Sequence, residues 1–124
     1  MIDLPSIESI KAALNQPLGE SLRRLLEDRL ADTIHCGLQD YTHVLVVEAG
    51  DTEQQIVEAI GFSPLKTRID NRRNCPDWDW CEQHLGWWEL LYTVGNDGFA
   101  YILLVEDAGR SPLAELCRSE GPSR

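Results

Sequence analysis

Residues able to do chemistry crowd into one short stretch. Asp77, Asp79, Glu82, His84 and Glu89 fall within thirteen positions, with Trp78 and Trp80 among them as potential pocket walls. A histidine steered by a carboxylate exchanges protons near neutrality, and paired carboxylates can grip a divalent cation. Asp77, Asp79, His84 and Glu89 are therefore the candidate catalytic residues of an acid/base or hydrolytic centre. The same aspartates serve equally well as helix caps. No nucleophile elbow, H-E-x-x-H pair, phosphate loop or dinucleotide fingerprint accompanies them.

Cys75, Cys81 and His84 form a second grouping, to which Cys36 (beside His35) or Cys117 would add a fourth zinc ligand. Zinc sites are usually announced by close C-x₂-C pairs, whereas Cys75-x₅-Cys81-x₂-His84 is loose. Free cysteines are also common core residues. The expectation is no metal and no cofactor. His43, inside an apolar run with Leu45 and Val47, reads as a core histidine, with pairing to His84 as the sharper alternative.

Tryptophans supply the third set. Trp87 and Trp88 are adjacent, so in a strand they point to opposite faces, and two covers are needed. Helices of the same chain would suffice. Alternatively Trp78, Trp80, Trp87 and Trp88 contribute to an aromatic patch, with carboxylates at its rim, for another protein or a second copy of the chain.

These residues are positioned by a ribbon running from Trp87 to Glu106. Two apolar segments flank Gly95-Asn96-Asp97-Gly98, a composition that suits a hairpin turn. With Asn96-Asp97 as the loop, Tyr92 faces Tyr101, Leu90 faces Leu103 and Trp88 faces Val105. With Asp97-Gly98 as the loop, the register moves by two and each residue keeps its face. The opposite face carries Trp87, Leu91, Ala100, Ile102 and Leu104, with Glu89, Thr93 and Glu106 as its polar members. A hairpin apolar on both sides belongs inside a sheet covered twice.

Elsewhere, Ser6 caps a first helix and Asn15-Gln16-Pro17 ends it. A second helix starts near Leu18 with Leu22, Leu25, Leu26 and Leu30 on one stripe, and 32–41 reads as a connection. Thr42–Glu48 is a buried strand. Asp51 with Gln54 starts a helix that ends at Gly61. Lys66–Ile69 reads as an edge strand, 70–76 as a loop, and 77–84 as one or two helical turns ended by Gly86. Ser111-Pro112 opens a last helix. The order α-α-β-α-β-(α)-β-β-α predicts an α+β domain over 1–118 with about four strands and a frayed tail at 119–124.

The pieces Thr-His-Val-Leu-Val-Val-Glu-Ala-Gly-Asp-Thr (42–52), Gly-Phe-Ser-Pro-Leu (61–65) and Gly-Trp-Trp-Glu-Leu…Asn-Asp-Gly-Phe (86–99) resemble small uncharacterised proteins of bacterial plasmids and integrative elements. The resemblance covers about 42–106 and implies a bacterial accessory protein of the cytoplasm. It brings no chemistry to any residue.

The 124 residues carry a net charge of −10, with acidic side chains in excess in every third of the chain. No basic patch is long enough to follow a phosphate backbone, so direct nucleic-acid binding is disfavoured. No apolar run approaches the roughly 20 residues of a membrane span, and the start has no basic, apolar leader pattern. A cytoplasmic protein follows, in which the four cysteines stay reduced. The functional expectation is a non-enzymatic protein-interaction module. A small enzyme is the alternative, and an acidic mimic of nucleic acid that occupies a DNA-binding protein is the second.

Overall fold

The computed structural model describes residues 1–67, 80–93, 100–108 and 112–120. In chain order these form β1 (Ile2–Leu4), α1 (Ile7–Leu14), α2 (Glu20–His35), β2 (Thr42–Val47), α3 (Glu53–Ile60), β3 (Trp80–His84), β4 (Trp87–Thr93), β5 (Ala100–Glu106) and α4 (Pro112–Glu120). The strands make one mixed sheet in the order β1-β2-β5-β4-β3, so the α+β expectation holds with five strands instead of four. β5 lies at the centre, parallel to β2 and antiparallel to β4, while β1 and β3 add antiparallel at the two ends.

The central ribbon has the register set by an Asn96-Asp97 loop: Trp88 opposes Val105, Leu90 opposes Leu103 and Tyr92 opposes Tyr101. The loop itself lies outside the described residues. Alternation along β4 and β5 then builds two cores. On one face Trp88, Leu90, Tyr92, Leu103 and Val105 join Leu45 and Val47 beneath α3 and α4, which contribute Ile56, Ile60, Leu113, Ala114 and Cys117. On the other, Ile102, Leu104, Val44, Val46 and Leu4 lie beneath α1 and α2, through Ile10, Ala13, Leu22, Leu25 and Leu26. Trp87 and Leu91 pack partly buried against that second core. Both covers expected for this doubly apolar ribbon are helices of its own chain.

Local chemistry explains where the helices start and stop. Ser6 and Ser9 exchange hydrogen bonds in a capping box that opens α1. Arg23 of α2 donates to the carbonyl oxygens of Leu14 and Gln16 at 2.6 and 2.7 Å, satisfying acceptors freed where α1 ends. α2 starts two residues later than Leu18, at Glu20, with Gly19 as N-cap. It continues to His35, through part of the segment expected to be a connection. The α3 capping box falls one residue beyond the expected pair: Thr52 and Gln55 form it, while the Asp51 carboxylate accepts the Glu48 backbone N–H at 2.8 Å. Gly61 closes α3 with φ +83°, the left-handed conformation glycine takes without steric cost.

The structure adds one strand and corrects two sequence expectations. Ile2–Leu4 is a strand, pairing with Val44–Val46. Lys66 and Thr67 belong to a helical turn over 64–67 instead of an edge strand, with Thr67 N–H donating to the Ser63 carbonyl at 2.9 Å and Lys66 N–H to Ser63 Oγ at 3.2 Å. The stretch 80–84 is strand β3 instead of helix, because its backbone completes a ladder with β4 from Trp80–Leu91 to His84–Trp87. Leu85 and Gly86 make the two-residue turn, with φ +55° and +85°, the sign pattern of a type I′ hairpin turn. No helix among the described residues is long and apolar enough to cross a membrane.

Candidate functional site

The face of the sheet beneath α1 and α2 changes character from β2 to β3. On β4, between Trp87 and Leu91, the residue that strand alternation sends to this face is Glu89. Its partner directly across the ladder is Glu82 of β3, so two carboxylates oppose each other. Like charges facing across strands are destabilising unless something positive intervenes. A positive group approaches, Arg29 of α2, which brings Nε to 3.5 Å from Glu89 Oε2, and His84 Nε2 lies 2.9 Å from Glu82 Oε2.

Glu89 is 6 % exposed, and among the described residues its carboxylate is paired with Arg29. Arg29 leaves a buried Nε without a well-formed hydrogen bond and reaches Asp32 with NH2 at 3.3 Å. Burial therefore pushes the Glu89 carboxyl above the usual range, against the opposing pull of Arg29 and His84, and Glu82 and Asp32 push it further the same way. For a carboxylate so placed, the cost of leaving water outweighs the compensation that the Arg29 guanidinium brings.

Around it lies a cleft of about 660 Å3 between the α2 helix and the β3–β4 turn. Arg24, Asp28, Arg29 and Asp32 line the helix side, and Glu82, His84, Leu85 and Glu89 the sheet side. Four carboxylates thus meet two guanidiniums. Oxygen atoms of Glu82 and Glu89 and a ring nitrogen of His84 all lie within 4.8 Å of one another, close enough to share one cation.

Of the sequence-derived catalytic candidates, His84 and Glu89 come together here, whereas Asp77 and Asp79 lie outside the described residues. Trp78 and Cys75 also fall outside them, and of Trp80 and Cys81 only the backbone in β3 is described. Trp88 is corrected from surface anchor to core residue. It is 3 % exposed because alternation turns it under α4. Its indole N–H has no well-formed hydrogen bond, yet helps Arg118 hold the Asp107 carboxyl below the usual range, as Gln83 does to a smaller extent. Trp87 is half-buried against the α2 core and borders a shallow groove with Glu48 and Glu106. Cys36 caps the exposed end of α2 and Cys117 is buried under the opposite face, so the groups gathered at His84 among the described residues are carboxylates instead of these thiols. His43 pairs with Asp3 and stacks near Tyr101, so its partners lie on β1 and β5 and do not include His84.

Sequence reasoning missed the helix wall of the cleft. Arg24, Asp28 and Asp32 recur at every fourth position of α2, a charged stripe beside the leucine stripe, and such residues are ordinarily read as facing water. That periodicity was the available signal, together with the one charged residue, Glu89, on a strand otherwise apolar from Trp87 to Tyr92. Compared with known proteins, the chain matches no family model, no curated protein and no solved structure.

Proposed function

We propose that this protein is a non-enzymatic binding module whose receptor site is the α2/β3–β4 cleft, and that its partner presents a positively charged segment, a lysine- or arginine-bearing stretch of another protein. The observation that carries this reading is Glu89, a buried carboxylate facing Glu82 across the ladder, with the Arg29 guanidinium 3.5 Å away as its compensation among the described residues. A cationic side chain entering the cleft supplies the missing positive charge. Another protein suits better than a second copy of the chain, since each copy brings a net charge of −10. The rim carboxylates of the sequence reading are kept, and the cleft replaces the aromatic patch.

The test is a titration of the full chain with a short lysine- and arginine-rich peptide, followed by fluorescence anisotropy at low and at moderate salt. Binding that falls steeply with salt, and about ten-fold in the exposed-rim variant Asp28→Asn/Asp32→Asn/Glu82→Gln, supports the cleft as receptor. Equal binding by wild type and that variant contradicts it, and is the result expected of an acidic mimic that uses its whole surface.

A second reading, the acid/base enzyme, draws on one observation: a carboxyl pushed up by burial sits beside a histidine held by another carboxylate, an arrangement that separates a proton donor from an acceptor. Turnover of simple ester or phosphoester substrates that disappears in His84→Ala favours it, and turnover unaffected by that change removes it.

A further inference from the structure

We propose that Glu82, His84 and Glu89 form a divalent metal site, with zinc as the cation that their donor set favours. One imidazole nitrogen and two carboxylate oxygens are a known zinc combination, and three protein ligands leave a coordination position open to the cleft. The geometry is close to a cage. The three ligand atoms lie within 4.8 Å of one another, near the spacing of ligands at about 2.0–2.2 Å from one zinc. Two of them can move to close it, because the Glu82 and His84 side chains are 40 % and 43 % exposed. The third is the anchor: Glu89 is held by the sheet, nine-tenths buried, with its oxygen among the three gathered ligand atoms.

Two features separate this cluster from an ordinary group of surface acids. Glu82 and Glu89 are direct cross-strand partners, and a shared cation turns their repulsion into bridging. His84 Nε2 already approaches Glu82 Oε2 at 2.9 Å, so a metal takes the place of the proton between them and Glu89 closes the third side. Arg29 opposes the cation but is not committed to Glu89. Its nearest approach is 3.5 Å, its Nε has no well-formed hydrogen bond, and Asp32 remains to receive it. Both readings use Glu82 and Glu89, but His84 serves only the metal and the rim residues Asp28 and Asp32 serve only the basic segment, so His84→Ala and Asp28→Asn/Asp32→Asn tell the two apart.

Calorimetric titration of chelator-treated full chain with zinc chloride at pH 7.5 tests the site. One saturable equivalent is expected, with affinity reduced about ten-fold or more in His84→Ala and in Glu82→Gln and unchanged in Cys36→Ser. Both ligand variants alter exposed side chains, and an unchanged circular dichroism spectrum shows that they fold. The imidazole carbon and nitrogen resonances of His84 should move on zinc addition, a signature that loss of stability does not produce. Absence of saturable binding overturns the proposal. So does binding that His84→Ala leaves intact, or binding that Cys36→Ser abolishes.

Discussion

The two faces of the central sheet are built from the same strands and yet differ in kind. Beneath α3 and α4, every inward residue of β4 that is described (Trp88, Leu90 and Tyr92) is apolar or aromatic and nearly sealed. Two polar tips lie there: the Tyr92 hydroxyl donates to the Pro64 carbonyl at 2.9 Å, and the Trp88 indole N–H has no well-formed hydrogen bond. Beneath α1 and α2 the core is just as dry over β1, β2 and β5, but at β4 it meets Glu89 and beyond that a cleft of charges. One face holds the fold together, whereas the other gives up part of its stability at a single position, the usual mark of a place where a protein does something else.

The largest effect that would break this comparison is loss of a sealed side chain. Leu90→Ala and Leu103→Ala, each at zero exposure, should cost about 3 kcal/mol in urea unfolding. Glu82→Gln, at the cleft, should cost less than about 0.5 kcal/mol. Equal losses would mean that the two faces do not divide labour.

Glu89 itself should behave in the opposite sense. Replacement by Gln removes a poorly compensated charge, and a gain of about 1 kcal/mol at pH 7 is expected, read as a higher urea midpoint. The pH dependence follows from the direction of its shift. Because the folded carboxyl holds its proton more tightly than the unfolded one, the folded state binds more protons in that window. The Glu89 contribution to stability is therefore greatest below the ordinary glutamate range and falls as pH rises through the folded value. Asp107 is the counterweight on the other side. Arg118 donates to it at 2.7 Å and lowers its pKa, so its contribution is present above the ordinary aspartate range and fades as pH falls through the depressed value. Urea midpoints of wild type, Glu89→Gln and Asp107→Asn across pH 3 to 8 separate the two slopes, and Glu89→Gln should remove the alkaline-side decline alone.

Smaller effects sharpen the picture. Tyr92→Phe strands a buried carbonyl and should cost about 1 kcal/mol. Leu85→Asn should add about 0.5 kcal/mol, since a leucine at φ +55° is strained and an Asn-Gly pair suits this turn. A loss on that substitution would show that Leu85 is held in place by contacts that outweigh its backbone.

How much of this was legible in the sequence depends on how each element signals itself. The faces of β4 and β5 were readable because alternation keeps them the same in either register, and of the two registers left open the one that pairs Tyr92 with Tyr101 is found. β1 was not, because three residues ahead of a proline carry no period. β3 was not, because Glu82-Gln83-His84 has the polarity of a loop and becomes a strand only through its ladder with β4. The site was half legible. Glu82, His84 and Glu89 are close in sequence, and a hairpin brings neighbours across. Arg29 and Asp32 arrive from a helix some fifty residues earlier, and no local pattern ties that helix to this strand.

The central claim is that Glu89 is a buried carboxylate left short of positive charge, and carboxyl-carbon NMR titration of the wild-type chain examines it most directly. The account predicts a Glu89 midpoint above that of every other glutamate in the chain, moving downward when zinc or a basic peptide is added. A midpoint at or below the ordinary glutamate range, insensitive to either addition, would contradict it.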